Sequence, residues 1–161
     1  MPRKGSVVVI LYGDETVLVE HTAGSDYPPG RFGYPAGFVE RGESFEDAAV
    51  RESLEECGIE INPERLLSDG RYSATIGRKG GRTLDVYAML YFYLCGHHAS
   101  RPQLIEKSDE TIPRWASIEG VLYGTYEMIE VSGPAMPRIT DVLRKYHGGR
   151  ILDEALRKNF C

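Results

Sequence analysis

Three glutamates, Glu52, Glu55 and Glu56, stand at i, i+3 and i+4 of a 161-residue chain. In a helix that spacing puts all three carboxylates on one side. Like charges so placed repel one another. Glu55 and Glu56 also fall just before Gly58, in what would be the last helical turn, where the helix dipole disfavours negative charge. The stretch Glu40–Glu60 adds Glu43, Glu46 and Asp47 and holds only Arg41 and Arg51 as bases. A solvated acidic face is the plain explanation of such a run, but solvated faces normally intersperse basic partners at i+4. A bound cation explains it better. Glutamate oxygens suit hard Mg²⁺, which keeps several waters and also takes phosphate oxygens as ligands. No His or Cys stands at matching spacing, which speaks against Zn²⁺.

A rigid element must carry these groups. A helix is expected to open after Ser44, an N-cap with Asp47 three residues on. It should close near Cys57, with Gly58 as its left-handed stop. Val50, Leu54 and Cys57 are expected to face the core. Tyr34-Pro-Ala-Gly-Phe38 precedes the helix, and Gly37 gives a backbone that can bend tightly and approach another group. That segment is either an ordinary strand-to-helix connection or a loop aiming the carboxylates at a substrate.

Around this centre, Ser6–Tyr12 and Thr16–His21 read as strands joined by a turn at Gly13-Asp14-Glu15. Residues 22–33, rich in Gly and Pro, read as an irregular loop. Arg71–Ile76 and Thr83–Leu94 read as a strand pair with a glycine-rich, basic tip. A polar loop over about 96–110 leads to a short strand near Arg114–Ala116 and a short helix over Ile118–Tyr123. Arg138–His147 and Arg150–Asn159 read as two helices divided by Gly148-Gly149. Strands and helices interleave without the rhythm of a parallel βαβ fold, so a mixed sheet with packed helices is expected.

Composition narrows the function classes. Hydrophobic residues make up 42% and charged residues 27%, as in globular proteins, and 161 residues suit one domain, 1–161. No apolar run approaches a membrane span, and the N-terminal apolar stretch Val7–Tyr12 is too short for a secretory signal. A cytoplasmic location is expected. Cys57, Cys95 and Cys161 form no ligand cluster and are expected to be reduced. The net charge of -5 and the lack of a strongly basic stretch argue against nucleic-acid binding. An anionic small molecule would need a metal or local Arg and Lys to bring it in.

The central residues resemble the Nudix box, Gly-x5-Glu-x7-Arg-Glu-U-x-Glu-Glu-x-Gly-U, with U a bulky aliphatic residue. The chain runs Gly37-FVERG-Glu43-SFEDAAV-Arg51-Glu52-Ser53-Leu54-Glu55-Glu56-Cys57-Gly58-Ile59. It departs from the pattern only at Ser53. A motif with this many fixed positions is specific. Outside it, Pro35-Ala36-Gly37 is similar to the family's common entry, and Asp109–Trp115 to its late strand. The resemblance implies an α/β protein with the Nudix-type α/β/α sandwich and a mixed β-sheet. It implies hydrolysis of a diphosphate linkage in a nucleotide-like small molecule, with Mg²⁺ or Mn²⁺ as cofactor and water attacking phosphorus. It gives Glu52, Glu55 and Glu56 the role of metal ligands, joined by the backbone of Gly37. Glu43 and Arg51 become the brace of the loop and helix, and Gly58 its structural end. The general base is Glu56 first, with Glu110 or Glu106 as second candidates.

The substrate stays open between nucleoside triphosphates and nucleoside diphosphates linked to another group, because no subfamily signature stands outside the box. Arg31, near the catalytic loop, is a better phosphate partner than Arg78 or Arg82, whose hairpin tip reads first as a solvated turn. Trp115, Tyr72 and Tyr87 could stack on a base, though core packing is the simpler role. The tail helices could support a homodimer or cover the sheet. A non-catalytic Nudix module that senses a nucleotide is the alternative function.

Overall fold

Alternation of apolar residues builds the sheet. In β1 (Arg3–Tyr12), Val8 and Ile10 face one side, and Val9 and Leu11 the other; all four are buried. The computed structural model describes residues 2–147. Within them the chain forms β2 (Glu15–His21), β3 (Phe32–Gly33), β4 (Ala36–Phe38), β5 (Leu66–Gly77), β6 (Thr83–Leu94), β7 (Thr111–Ser117) and β8 (Val131–Ser132), with helices α1 (Phe45–Cys57), α2 (Ile118–Leu122) and α3 (Ala135–His147). β1 runs parallel to β6, and the other strand pairs are antiparallel, so the sheet is mixed. One apolar cluster lies under α2 and α3, built on Val9, Leu18, Phe92, Ile139 and Leu143. The other lies under α1, built on Val8, Ile10, Ala49, Cys57 and Tyr93. Helices thus cover both faces, giving an α/β/α sandwich.

A fork in the sheet positions the site. β1 and β2 pair only beside their turn, at Leu11 with Thr16 and Tyr12 with Glu15. Beyond that they part, and the segment after the 22–31 loop fills the gap. There β3 pairs with β2, while β4 pairs with β1 through Ala36, Gly37 and Phe38. The expected irregular loop therefore ends in a strand.

The helix α1 has the expected ends. Ser44 Oγ accepts from Asp47 N (3.0 Å), and Asp47 Oδ2 accepts from Ser44 N (3.1 Å). Gly58 is left-handed, with φ 72°, and its N–H donates to Leu54 O. The buried face differs from the expected one. Ala48, Ala49, Ser53 and Cys57 point into the core, Val50 lies at its margin, and Leu54 is 41% exposed. Small side chains let the helix approach the sheet closely, and Ser6 Oγ in β1 donates to Phe45 O at 2.6 Å. Ser53, the departure from the box, is fully buried, and its hydroxyl donates to Ile59 O at 3.0 Å. That bond satisfies a polar group where an aliphatic one was expected.

Other elements extend past their expected bounds. β5 begins at Leu66, ahead of Arg71, and α3 begins at Ala135, ahead of Arg138. The two-residue strand β8 carried no sequence signal. The expected helix Arg150–Asn159 and Cys161 lie outside the described residues. Cys57 and Cys95 are free and buried. No described helix is long and apolar enough to cross a membrane.

Candidate functional site

The rotation of α1 gives its three glutamates different surroundings. Glu52 and Glu56 flank the buried Ser53–Cys57 face and turn toward the fork, whereas Glu55 lies at the rim. Their side chains differ accordingly: Glu52 is 13% exposed and Glu55 59%. Glu56 Oε1 accepts from Ala36 N at 2.9 Å, and Thr111 Oγ1 donates to Oε2 at 3.4 Å. Burial pushes the Glu56 carboxyl up to about 8, helped by the nearby Glu52 and Glu110 charges and opposed by the Ala36 and Thr111 hydrogen bonds. Burial also raises Glu52, against the opposing pull of Arg51.

Arg51 is the hub of the site. It donates to Glu43 through Nε (2.7 Å) and Nη2 (3.0 Å), to Glu52 Oε1 (2.6 Å), to Glu55 Oε2 (3.2 Å) and to Phe38 O (2.9 Å). Glu43 in turn accepts from Glu40 N at 2.9 Å. Its Arg51 hydrogen bonds hold the Glu43 carboxyl below its ordinary value. Loop 38–43 is therefore fastened to the helix. This corrects one expectation: Glu52 and Glu55 do have a cationic partner.

Gly37 contributes by having no side chain, since a Cβ there would overlap the Glu52 carboxylate. Its carbonyl lies on the β1 side, 3.3 Å from where a Cβ on Gly5 would stand. The backbone that faces Glu56 is that of Ala36, the neighbour of the expected Gly37.

These groups open into a cavity of about 680 Å³ along the fork. Glu52, Glu55, Glu56, Glu110 and Lys107 line it together with the apolar Ala74, Val86, Ala88, Ile129, Met136 and Ile139. His21, Ser25, Asp26 and Tyr27 also line it. Sequence reading missed these four and Lys107, because a Gly- and Pro-rich loop carries no signal of what it folds against.

The three arginines separate. Arg78 lines the cavity, pairs with Asp26 and lies near the Tyr27 ring. Its Nε is buried without a partner among the described residues. With Lys79 N donating to Asp26 O and Lys79 Nζ to Ala23 O, the hairpin tip is docked on the 22–28 loop instead of being a free solvated turn. Arg31 turns to Glu127 Oε1 (3.0 Å) and Met128 O (3.4 Å), and neither it nor Arg82 lines the cavity. Nor do Glu106, Glu43 or Gly58. Trp115 Nε1 donates to Pro102 O, its ring meets Tyr12 edge-on, and like Tyr72 and Tyr87 it stays outside the cavity.

The donor chemistry suits a hard divalent ion, while among the described residues no three of the His, Cys, Asp and Glu side chains are grouped closely enough to hold one as they stand. The carboxylates are oxygen donors, and burial disfavours ionising Glu52 and Glu56 together, a cost that a cation would offset.

Comparison with known proteins agrees with this geometry. Residues 2–138 match the NUDIX domain family. The NAD-capped RNA hydrolase NudC of Stutzerimonas stutzeri is 36% identical over 62 residues, covering 38% of this chain and 21% of that protein. The chain thus spans about a fifth of the length of this relative. A bifunctional NMN adenylyltransferase/ADP ribose pyrophosphatase from Francisella tularensis, complexed with AMP and a manganese ion, superposes with a TM-score of 0.66 at 19% identity. That match covers 90% of this chain and 42% of the other. The NUDIX domain of Shewanella oneidensis NrtR, complexed with ADP ribose, superposes with a TM-score of 0.60 at 17% identity, covering 80% and 79%. The chain belongs to the Nudix hydrolase family.

Proposed function

We propose that this protein hydrolyses the diphosphate linkage of a nucleoside diphosphate-X or nucleoside triphosphate by direct attack of water on phosphorus. The observation that carries this reading is one cavity joining the box carboxylates to an apolar chamber large enough for the rest of a nucleotide. Glu52, Glu55 and Glu56 would hold Mg²⁺, or Mn²⁺ in its place, and such an ion offsets the negative charge that builds at phosphorus and favours ionisation of water.

The chain's own groups complete the reaction. Arg51 and Glu43 fix the loop against the helix, so the carboxylates keep their spacing. Glu56 accepts the proton of the attacking water. The Ala36 N–H orients its carboxylate. Glu110, which lines the same cavity near Glu56, is the second candidate for that proton. The water oxygen bonds to phosphorus as the bond to the bridging oxygen breaks, and the second phosphate leaves with that oxygen. Arg78 and Lys107 supply cationic groups toward the phosphates, which matters in a chain of net charge -5.

The test is a panel of ADP-ribose, NAD, Ap4A and the nucleoside triphosphates, incubated with Mg²⁺ in H₂¹⁸O. One ¹⁸O is expected on a phosphate of one product, and its place identifies the attacked phosphorus. Label on a sugar carbon, or in no product, overturns direct attack at phosphorus. Tight binding of a panel member without turnover would favour the sensing module instead.

A further inference from the structure

The wall of the cavity holds a buried histidine that the reaction does not use. His21 is 8% exposed and closes β2 opposite Thr111, whose hydroxyl reaches Glu56. Its Nδ1 lies 2.8 Å from Ser25 Oγ. Ser25 Oγ already accepts from Tyr27 N at 3.2 Å. Among the described residues that hydroxyl has no acceptor for its proton other than His21 Nδ1. Assigning the Ser25 hydroxyl proton to Nδ1 leaves the ring proton on Nε2. Burial lowers the His21 pKa to about 4, so the ring is neutral at physiological pH.

Nε2 faces the cavity. It lies 3.5 Å from the place a Cβ on Gly33 would take, and Gly33 and the adjacent Ile129 both line the chamber. No described group accepts from Nε2, and it is not among the buried unpartnered atoms, so it reaches the open space. Tyr27 packs against the ring at 4.6 Å between centroids and fixes its plane. A neutral, oriented N–H donor suits an uncharged acceptor better than it suits a second phosphate.

We propose that His21 is a specificity-determining residue whose Nε2–H donates to a carbonyl oxygen or ring nitrogen of the substrate's uncharged heteroaromatic group. This rests on the nucleotide reading above. Two variants divide the ring's functions. His21→Asn places an amide near Nδ1, keeping the Ser25 contact while ending short of the cavity. His21→Gln places its amide near Nε2, keeping the cavity donor while releasing Ser25. A third, Gly33→Ala, puts a methyl group in front of Nε2 at ordinary contact distance and leaves the ring untouched.

With the panel member that the wild type turns over best, His21→Asn and Gly33→Ala are each expected to raise KM about 5- to 10-fold, with kcat within about twofold. His21→Gln is expected to recover most of the affinity. A structural role predicts the reverse order, with Asn close to wild type and Gln impaired, and that result overturns the proposal. Should His21→Asn fail to fold, an unchanged KM in Gly33→Ala overturns it equally. Calorimetric titration of the same compounds reads the contact without turnover. Wild-type binding that His21→Asn or Gly33→Ala weakens, in the absence of hydrolysis, would sink the catalytic reading and sustain this one. A wild type that binds no panel member sinks this one.

Discussion

Glu56 shows how one residue's surroundings set its chemistry. Burial, with two other acids nearby, lifts its pKa from 4.5 to about 8 against the opposing pull of the Ala36 N–H. The stability consequence has a definite sign. Below about 4.5 the group is neutral both folded and unfolded and costs nothing. As pH rises toward about 8, the unfolded chain ionises while the folded one resists, so stability is lost through that window. Glu56→Gln removes the titration and keeps an acceptor for Ala36. In EDTA, thermal melts at pH 8.5 should show the variant more stable than wild type, on the order of 2–4 kcal/mol. Melts at pH 4 should coincide, and hydrolysis with Mg²⁺ should be almost abolished. A variant less stable at both pH values would make Glu56 a structural residue.

At the scale of elements, the C-terminal stop of α1 does more than end a helix. Gly58 is left-handed, and a Cβ there would stand 2.6 Å from Ile105 Cβ. Ile105 N also donates to Cys57 O at 2.9 Å. The helix end therefore docks the 104–110 loop that brings Lys107 and Glu110 to the cavity. Gly58→Ala combines a backbone penalty with a clash that the loop must absorb. Urea denaturation should show a loss of about 2–3 kcal/mol. The kcat should fall as well, because Lys107 and Glu110 move with the loop. A fall in stability with unchanged kcat would separate the loop from the reaction.

For the whole molecule, the fork between β1 and β2 is what allows a cavity at all. A sheet paired along its full length would leave no room between Gly33 and the apolar strands β5 and β6. The cavity sits in a protein of net charge -5, and its acidic end is only partly balanced by Arg51. A polyanion would meet repulsion there without a cation. Hydrolysis is therefore expected to vanish in EDTA and to return with Mg²⁺ or Mn²⁺. Binding of either ion should also raise the melting temperature, most above about pH 8, where Glu56 is ionised and no proton competes for its carboxylate. Undiminished turnover in metal-free buffer refutes the metal requirement.

The box and its helix were legible because their information is local. The i, i+3, i+4 carboxylates, the Ser44 cap and the Gly58 stop are fixed by helix geometry within a few turns. The longer strands of the sheet were legible too, since a period of two needs no distant partner, whereas the short β3, β4 and β8 were not. The face α1 buries was decided by tertiary packing. The rotation that would bury Val50 and Leu54 is the more apolar one, but close approach to β1 selected the small residues Ala49 and Ser53 over Leu54. The same holds for the arginines. Arg31, Arg78 and Arg82 are alike in sequence, and only the docking of a hairpin tip on the 22–28 loop places Arg78 at the cavity. His21, Ser25 and Tyr27 share a cavity with Glu52, Glu55 and Glu56 across 25 or more positions of chain, a proximity set by strand pairing at the fork and recorded in no local pattern.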